Sequence, residues 1–181
     1  GPDRLKIKPD LTVADANKKS IYYDVIIVLG GGVVDFIDFK KLCIKKGEKV
    51  WTVFVDIYPI NDDGNLFDAM SLAAMAAMKD AKFPEYDKKT EKVNYAKRTK
   101  TGLPLKGTPL ECTVIKINGK LLLDPSVEEW KALDARLTVG FLDNGNICAM
   151  QKGGEKSLSV KEISKMVEIA GEQEKEWRKV L

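Results

Sequence analysis

The sequence predicts an α+β domain, with helices packed on one face of a mixed sheet. Three observations carry that expectation. The segment Leu66 to Ala81 is almost wholly alanine, leucine and methionine, with no Gly or Pro. Two turn signals, Asn118-Gly119 and Asp143-Asn144-Gly145, each join a pair of apolar runs. A second helical stripe follows Ser159. The resulting order is strand, helix, four antiparallel strands, helix.

Gly1 to Ser20 is polar, lysine-rich and broken by Pro2 and Pro9, so it is expected to be irregular, with Gly1-Pro2 reading as a cleavage scar. Ile21 to Leu29 is unbroken and apolar, the pattern of a strand buried on both faces, and Gly30-Gly31-Gly32 closes it. Val50 to Ile60 carries apolar residues on both sides, with Thr52 and Asp56 as its polar interruptions, and should be a long central strand. The turn Asn61 to Asn65 then leads into the buried helix, with Asp63 or Asn65 expected to cap it. Phe83 to Pro109 is lysine-rich and punctuated by Pro84, Gly102, Pro104, Gly107 and Pro109, and reads as a long exposed connection.

Cys112–Ile117 and Lys120–Leu123 flank Asn118-Gly119, the strongest short hairpin signal. Ala135–Leu142 and Asn146–Lys152 flank the second turn. Ser126 with Glu129 and Ser159 with Glu162 have capping-box spacing, in which each Ser and Glu satisfies the other's free N–H. Ile163, Met166, Val167 and Ala170 then mark the buried stripe of the last helix.

Composition excludes several chemistries. There is no histidine, so the usual general base, the usual metal ligand and every imidazole triad are absent. The net charge of +3 does not by itself indicate a polyanion-binding surface. Only Arg4, Arg98, Arg136 and Arg178 are arginine among 30 basic residues, so bidentate phosphate forks are scarce. Cys43, Cys112 and Cys148 are far apart and odd in number, which indicates neither a disulfide framework nor a zinc site and suggests a reducing, cytoplasmic setting. No run approaches the ~20 apolar residues of a membrane span.

Local motifs are weak. Gly30 to Gly32 with Asp56 resembles a dinucleotide loop, but Asp35 stands where the third glycine belongs. Asp62, Asp63 and Asp68 lack the spacing and closing glutamate of a calcium loop. Lys152 to Lys156 could cradle a phosphate, though a chain reversal explains it as well. Asp124, Glu128, Glu129 and Asp134 offer enough carboxylate for magnesium or a general acid, yet such a stretch is more often a solvated face. Lys97, Arg98 and Lys100, with Tyr95 nearby, are the local candidates for contact with nucleic acid.

Several segments taken together resemble a known family. They are Ile37 to Ile44, Gly47 to Trp51, Val55-Asp56, Asp63 to Ala69, Leu133 to Val139 and Ile147 to Gly154. In this order and spacing they are similar to the RNase PH family, and within it to the non-catalytic ring subunits of archaeal exosomes. The resemblance runs from about Ile37 to Ala170. Residues 1–36 have no clear family match, 37–181 would form the RNase PH-like domain, and part of its N-terminal half would be missing. The family's usual helix with arginines towards RNA is replaced by the apolar Val25 to Gly32.

The resemblance implies a ring subunit that handles RNA, 3′ to 5′, beside a catalytic RNase PH-like partner, with single-stranded RNA and RNA-binding cap proteins as further partners, no membrane and no cofactor. Catalytic members use inorganic phosphate to attack the terminal phosphodiester and release a nucleoside diphosphate. Their phosphate-binding arginine lies in the loop that opens the buried helix, and Leu66 occupies that position here. Leu66 has no donor to offer a phosphate. Asp134 matches the family's catalytic aspartate, but without the clamp it is expected to be vestigial or structural, so no catalytic residue and no metal ligand is assigned. The rival reading is an active phosphate-dependent 3′–5′ exoribonuclease using Asp134 as acid and Lys97, Arg98 or Lys100 as phosphate donors. A dinucleotide module at Gly30 to Gly32 ranks third.

Overall fold

The computed structural model describes residues 36–55 and 57–181, together with the backbone of 6–10. Strand β1 (Lys6–Asp10) pairs with β3 (Lys49–Phe54), and β3 pairs on its other side with β2 (Cys43–Lys45), which follows a short 3-10 turn at Phe39–Leu42. The first twenty residues thus contain a strand where irregular chain was expected, because lysines and Pro9 hide a segment whose pairing comes from β3. Strand β3 is central to this sheet as expected, but ends at Phe54. Tyr58 and Ile60 beyond it are 63% and 88% exposed, so apolar residues alone did not extend the strand. The expected strand Ile21–Leu29, Gly30 to Gly32, Asp35 and Asp56 lie outside the described residues.

Helix α1 (Leu66–Asp80) matches the expected buried helix. It packs Ala74, Met75 and Met78 into a core with Phe36, Ile37, Leu42, Val53 and Leu110. Met75 and Met78 are fully buried, and each such side chain contributes roughly 1.5–3 kcal/mol by leaving water.

The segment after α1 is not a loose connection. Strands β4 (Lys82–Asp87) and β5 (Lys92–Gly102) form a two-stranded antiparallel ribbon. Its turn is tied by Asp87, whose carboxylate accepts from Lys89 N at 2.8 Å and Thr90 Oγ1 at 2.7 Å. Both faces of most of the ribbon are wet, so its sequence shows no buried periodicity to read. Trp51 anchors it, with its ring 5.4 Å from Phe83 and 6.2 Å from Tyr86.

The four remaining strands form one sheet, in the order β7 (Lys120–Leu123), β6 (Leu110–Ile117), β8 (Ala135–Phe141), β9 (Ile147–Gly153). Asn118 and Gly119 both have positive φ, the twist a two-residue hairpin needs. Helices α2 (Val127–Ala132) and α3 (Val160–Arg178) begin at Ser126 and Ser159 with complete capping boxes. The α+β class is as expected, and two details refine it. Every described pairing is antiparallel, and the helices cover both faces of this sheet. Cys112, Val114, Leu137, Val139 and Phe141 pack on Met166 and Ala170 of α3, while Glu111 and Thr113 turn to α1. Strand β6 is therefore buried on both sides from Leu110 to Ile115.

Candidate functional site

The chain enters α1 through two left-handed residues, Gly64 at φ +99° and Asn65 at φ +47°. Gly64 N donates to Asp62 Oδ1 at 2.9 Å. A β-carbon on Gly64 would stand 2.1 Å from the Pro125 carbonyl oxygen, so only glycine fits between this turn and the start of α2. Neither expected cap operates: Asn65 holds the cap position without a side-chain cap bond. Its Nδ2 instead donates to Asp124 Oδ1 at 3.0 Å. Left-handed backbone aims the amide sideways, toward Asp124 and Asp68, rather than over the first turn.

The next side chains close the opening. Phe67 stacks on Trp130 of α2 at 5.7 Å, and the Arg136 guanidinium lies 4.7 Å from the Phe67 ring centre and 5.8 Å from that of Trp130. Arg136 Nη1 donates to Thr138 Oγ1 at 2.9 Å, Thr138 and Thr113 share a hydroxyl contact at 2.9 Å, and Thr113 Oγ1 donates to Asp68 Oδ1 at 2.8 Å. Thr113 N reaches the same carboxylate at 2.9 Å. A continuous polar chain thus runs under α1 from Arg136 to Asp68.

Burial governs the charges here. It raises Asp68 to about 6, against hydrogen bonds from Thr113 and Asn65 that favour the carboxylate. Glu111 is pushed to about 8 by burial and by the Asp68 charge, with Arg136 opposing. Burial also lowers Arg136, against the pull of Glu111 and Asp68.

An anion meets a poor reception at this helix start. The Leu66 side chain offers no donor, Asp124 presents a carboxylate and Pro125 a carbonyl oxygen, and Arg136 is engaged with two rings and Thr138. The positive helix end alone does not offset these groups.

Asp134 lies at the start of β8. Its Oδ2 accepts from Asn118 N at 2.8 Å and its Oδ1 pairs with Lys156 Nζ at 2.7 Å. Its own N–H donates to Lys116 O at 2.8 Å, and its carbonyl accepts from Lys156 N at 2.9 Å. The Lys156 hydrogen bond and that from Asn118 hold its carboxyl below the usual range. It fastens the β6–β7 turn to the reversal after β9, where Gly154 adopts φ +82°. Lys152 Nζ bonds Gly154 O at 2.6 Å, so the segment Lys152 to Lys156 is a chain reversal knotted by its own residues.

Lys97, Arg98 and Lys100 lie on β5, a strand where a loop was expected. Lys82 follows α1 directly and pairs with Gly102, so the ribbon leaves from the C-terminal end of α1. At 1.5 Å per residue that is about 20 Å from the Leu66 end. Asp134 belongs with the Leu66 end, because α1 runs against β6, with Asp68 at Thr113, Ser71 at Glu111 and Asn118 beyond. The three basic residues and Asp134 are therefore not brought together. The sequence reading missed Phe67, Trp130 and Arg136 as a unit, since nothing in their spacing signals a contact across three elements.

Among the described residues no group of three or more His, Cys, Asp or Glu could hold a metal ion. No described helix is long and apolar enough to cross a membrane.

Two family profiles match the chain: the 3′ exoribonuclease family, domain 1, over residues 38–84, and domain 2 of the same family over residues 107–173. The exosome complex component Rrp42 of Methanothermobacter thermautotrophicus is 44% identical over 137 residues, which cover 76% of this chain and 51% of that protein. The Rrp42 of Thermoplasma acidophilum is 34% identical over 170 residues, covering 94% of this chain and 62% of the relative. The chain thus spans about half the length of several curated relatives it matches. A solved archaeal exosome core contains a chain of 30% identity and TM-score 0.72, over 93% of this chain and 71% of that one. An Archaeoglobus fulgidus exosome with RNA bound to the active site has a chain of 28% identity and TM-score 0.73, over 97% and 76%.

Proposed function

Because the chain belongs to the RNase PH family of 3′ exoribonucleases, we propose that it acts as a non-catalytic subunit of an exosome-type ring. The ring degrades or processes RNA from the 3′ end by phosphorolysis. This chain contributes assembly and part of the RNA path, and a paired RNase PH-like subunit supplies the chemistry. The relatives named as exosome components, and the RNA in the Archaeoglobus complex, support that context. The single-stranded RNA, the hetero-oligomeric ring and the RNA-binding cap proteins are the partners it would meet, in the cytoplasm, where its three unpaired cysteines stay reduced.

The observation that carries the inactive reading is the start of α1. Phosphorolysis needs a donor set that positions inorganic phosphate for in-line attack and neutralises its charge. Here Leu66 stands at the family's arginine position, Asp124 and Pro125 crowd the turn, and Arg136 is held against the Phe67 and Trp130 rings. Asp134 is bound on both carboxylate oxygens. The rival reading, an exoribonuclease with Lys97, Arg98 or Lys100 as phosphate donors, draws them from a ribbon whose base lies at the other end of α1 from Asp134.

The test is release of nucleoside diphosphate from single-stranded RNA with inorganic phosphate and magnesium, using this protein alone, the catalytic subunit alone and both together. Inertness alone with acceleration of the mixture is expected. Turnover by this protein alone, or a partner equally fast without it, overturns the proposal.

A further inference from the structure

The β4–β5 ribbon is irregular in a specific way. Adjacent residues Pro84 and Glu85 of β4 face Arg98 and Asn94, so Tyr95, Ala96 and Lys97 have no partner opposite them. Lys82 and Pro84 face Gly102 and Arg98, so Thr99, Lys100 and Thr101 share a single residue, Phe83. Strand β5 therefore carries two consecutive bulges. Each is tied by its own side chain: Asn94 Oδ1 accepts from Ala96 N and Thr99 Oγ1 from Thr101 N, both at 3.1 Å. Bulges re-aim side chains that a regular strand would hold in alternation.

What the bulges present is chemically uniform. From Lys92 to Gly102 there are four basic residues and no acidic one. Over the whole ribbon, seven basic residues face three acidic ones, an excess larger than the net +3 of the entire chain. Each of the three acids is already engaged: Asp87 in its turn, Glu91 with Lys49, and Glu85 with Lys97 at 3.8 Å. Arg98 and Lys100 are exposed, and no ion pair ties either to a described residue. Tyr95 is 56% exposed, with no ring partner among the described residues.

We infer that the two β5 bulges form a binding site for single-stranded RNA, with Tyr95 stacking on a base and Arg98 and Lys100 pairing with phosphates. The inference rests on the RNA-handling role proposed above and assigns it to a place well away from the start of α1. Exposed aromatic rings beside cationic side chains suit unpaired nucleic acid, whose bases offer free faces and whose backbone is a regular polyanion. The exposed bulges offer both without rearranging the core. Lys97, already facing Glu85, is the weaker contributor.

The test is fluorescence anisotropy of a labelled single-stranded oligoribonucleotide, with the whole protein alone and in its ring. Tyr95→Ala should weaken binding about tenfold and leave the salt dependence unchanged, as loss of one stacked base does. Arg98→Ala with Lys100→Ala should weaken it and lower the salt slope by about 1.4, from about 0.7 per phosphate contact. On duplex RNA, Tyr95→Ala should change nothing, because paired bases cannot stack on it. Far-UV circular dichroism confirms that these exposed substitutions leave the fold intact. Parental binding by both variants overturns the inference, as does an equal loss on replacing the exposed Lys161 and Lys175 of α3 by alanine. Competition by polyphosphate that Tyr95→Ala does not alter, with no Tyr95 effect on RNA, also overturns it. The ring reading fails separately, through nucleoside diphosphate release, which the ribbon variants do not measure.

Discussion

The guanidinium of Arg136 lies 4.7 Å above the ring of Phe67, across two segments that are far apart in sequence. Trp130 completes the stack from α2. Arg136→Lys loses the planar fork and the stacking, and should cost about 1–2 kcal/mol. Trp130→Ala should cost about 2 kcal/mol. Urea unfolding of the two variants measures both, and parental midpoints would remove the stack as a structural element.

On the reading that Leu66 takes the place of a phosphate-binding arginine, an arginine there should not by itself supply chemistry. Leu66→Arg would add a donor one residue after Asn65, which is bound to Asp124, and the Asp124 carboxylate would compete with phosphate for it. No nucleoside diphosphate release is expected from this variant alone. Measurable turnover would mean that the surrounding wall yields.

Gly64→Ala tests the close approach between the α1 turn and α2. The new β-carbon would clash with the Pro125 carbonyl, and φ +99° disfavours any L side chain. A loss of roughly 3 kcal/mol or more is expected from strain plus displacement of α2. Thermal denaturation reads it directly.

Stability should fall as pH rises from about 4.5 to about 8. Glu111 has its pKa raised from 4.5 to about 8, and Asp68 is raised to about 6. Across that window the folded protein holds protons the unfolded chain has released, so each added pH unit favours unfolding. Glu111→Gln should flatten the slope. At the acid end the sign reverses: Glu162 is lowered to about 2, first by Lys116 and then by Ser159, and its contribution disappears as pH falls from its ordinary range towards 2. Urea midpoints measured across these windows should peak at or just below about pH 4.5, and a curve rising steadily to about pH 8 would contradict the Glu111 assignment.

Asp134→Ala should loosen the β6–β7 turn and the reversal after β9, lowering the melting temperature, while phosphorolysis by the proposed ring with its catalytic subunit continues. Abolished phosphorolysis with unchanged melting would make Asp134 a catalytic group.

The parts of the fold readable from residues are those set by local rules. Ser126 with Glu129, Ser159 with Glu162, and Asn118-Gly119 each specify their own geometry within four residues, and all three formed as expected. Helix α1 was readable because Leu66 to Asp80 holds good helix formers throughout. The ribbon was not, because its lysines describe solvent exposure rather than pairing, and its register depends on two bulges. Strand β1 was hidden for the same reason. At the candidate site, Leu66 and Asp134 were visible only through likeness to a family. The stack of Phe67, Trp130 and Arg136 needed three elements in place before any of it could be seen.

The pairing of Lys82 with Gly102 has one further consequence. The chain leaves the end of α1 and returns to it at neighbouring points, while Phe83, Tyr86 and Glu91 fasten the ribbon to Trp51 and Lys49 of β3. A segment with adjacent ends tolerates change at its exposed positions, here the two β5 bulges, while the contacts of Phe83 and Tyr86 with Trp51 keep their place. Those bulges are where variants of this chain can change what they grip with the least disturbance to how they fold.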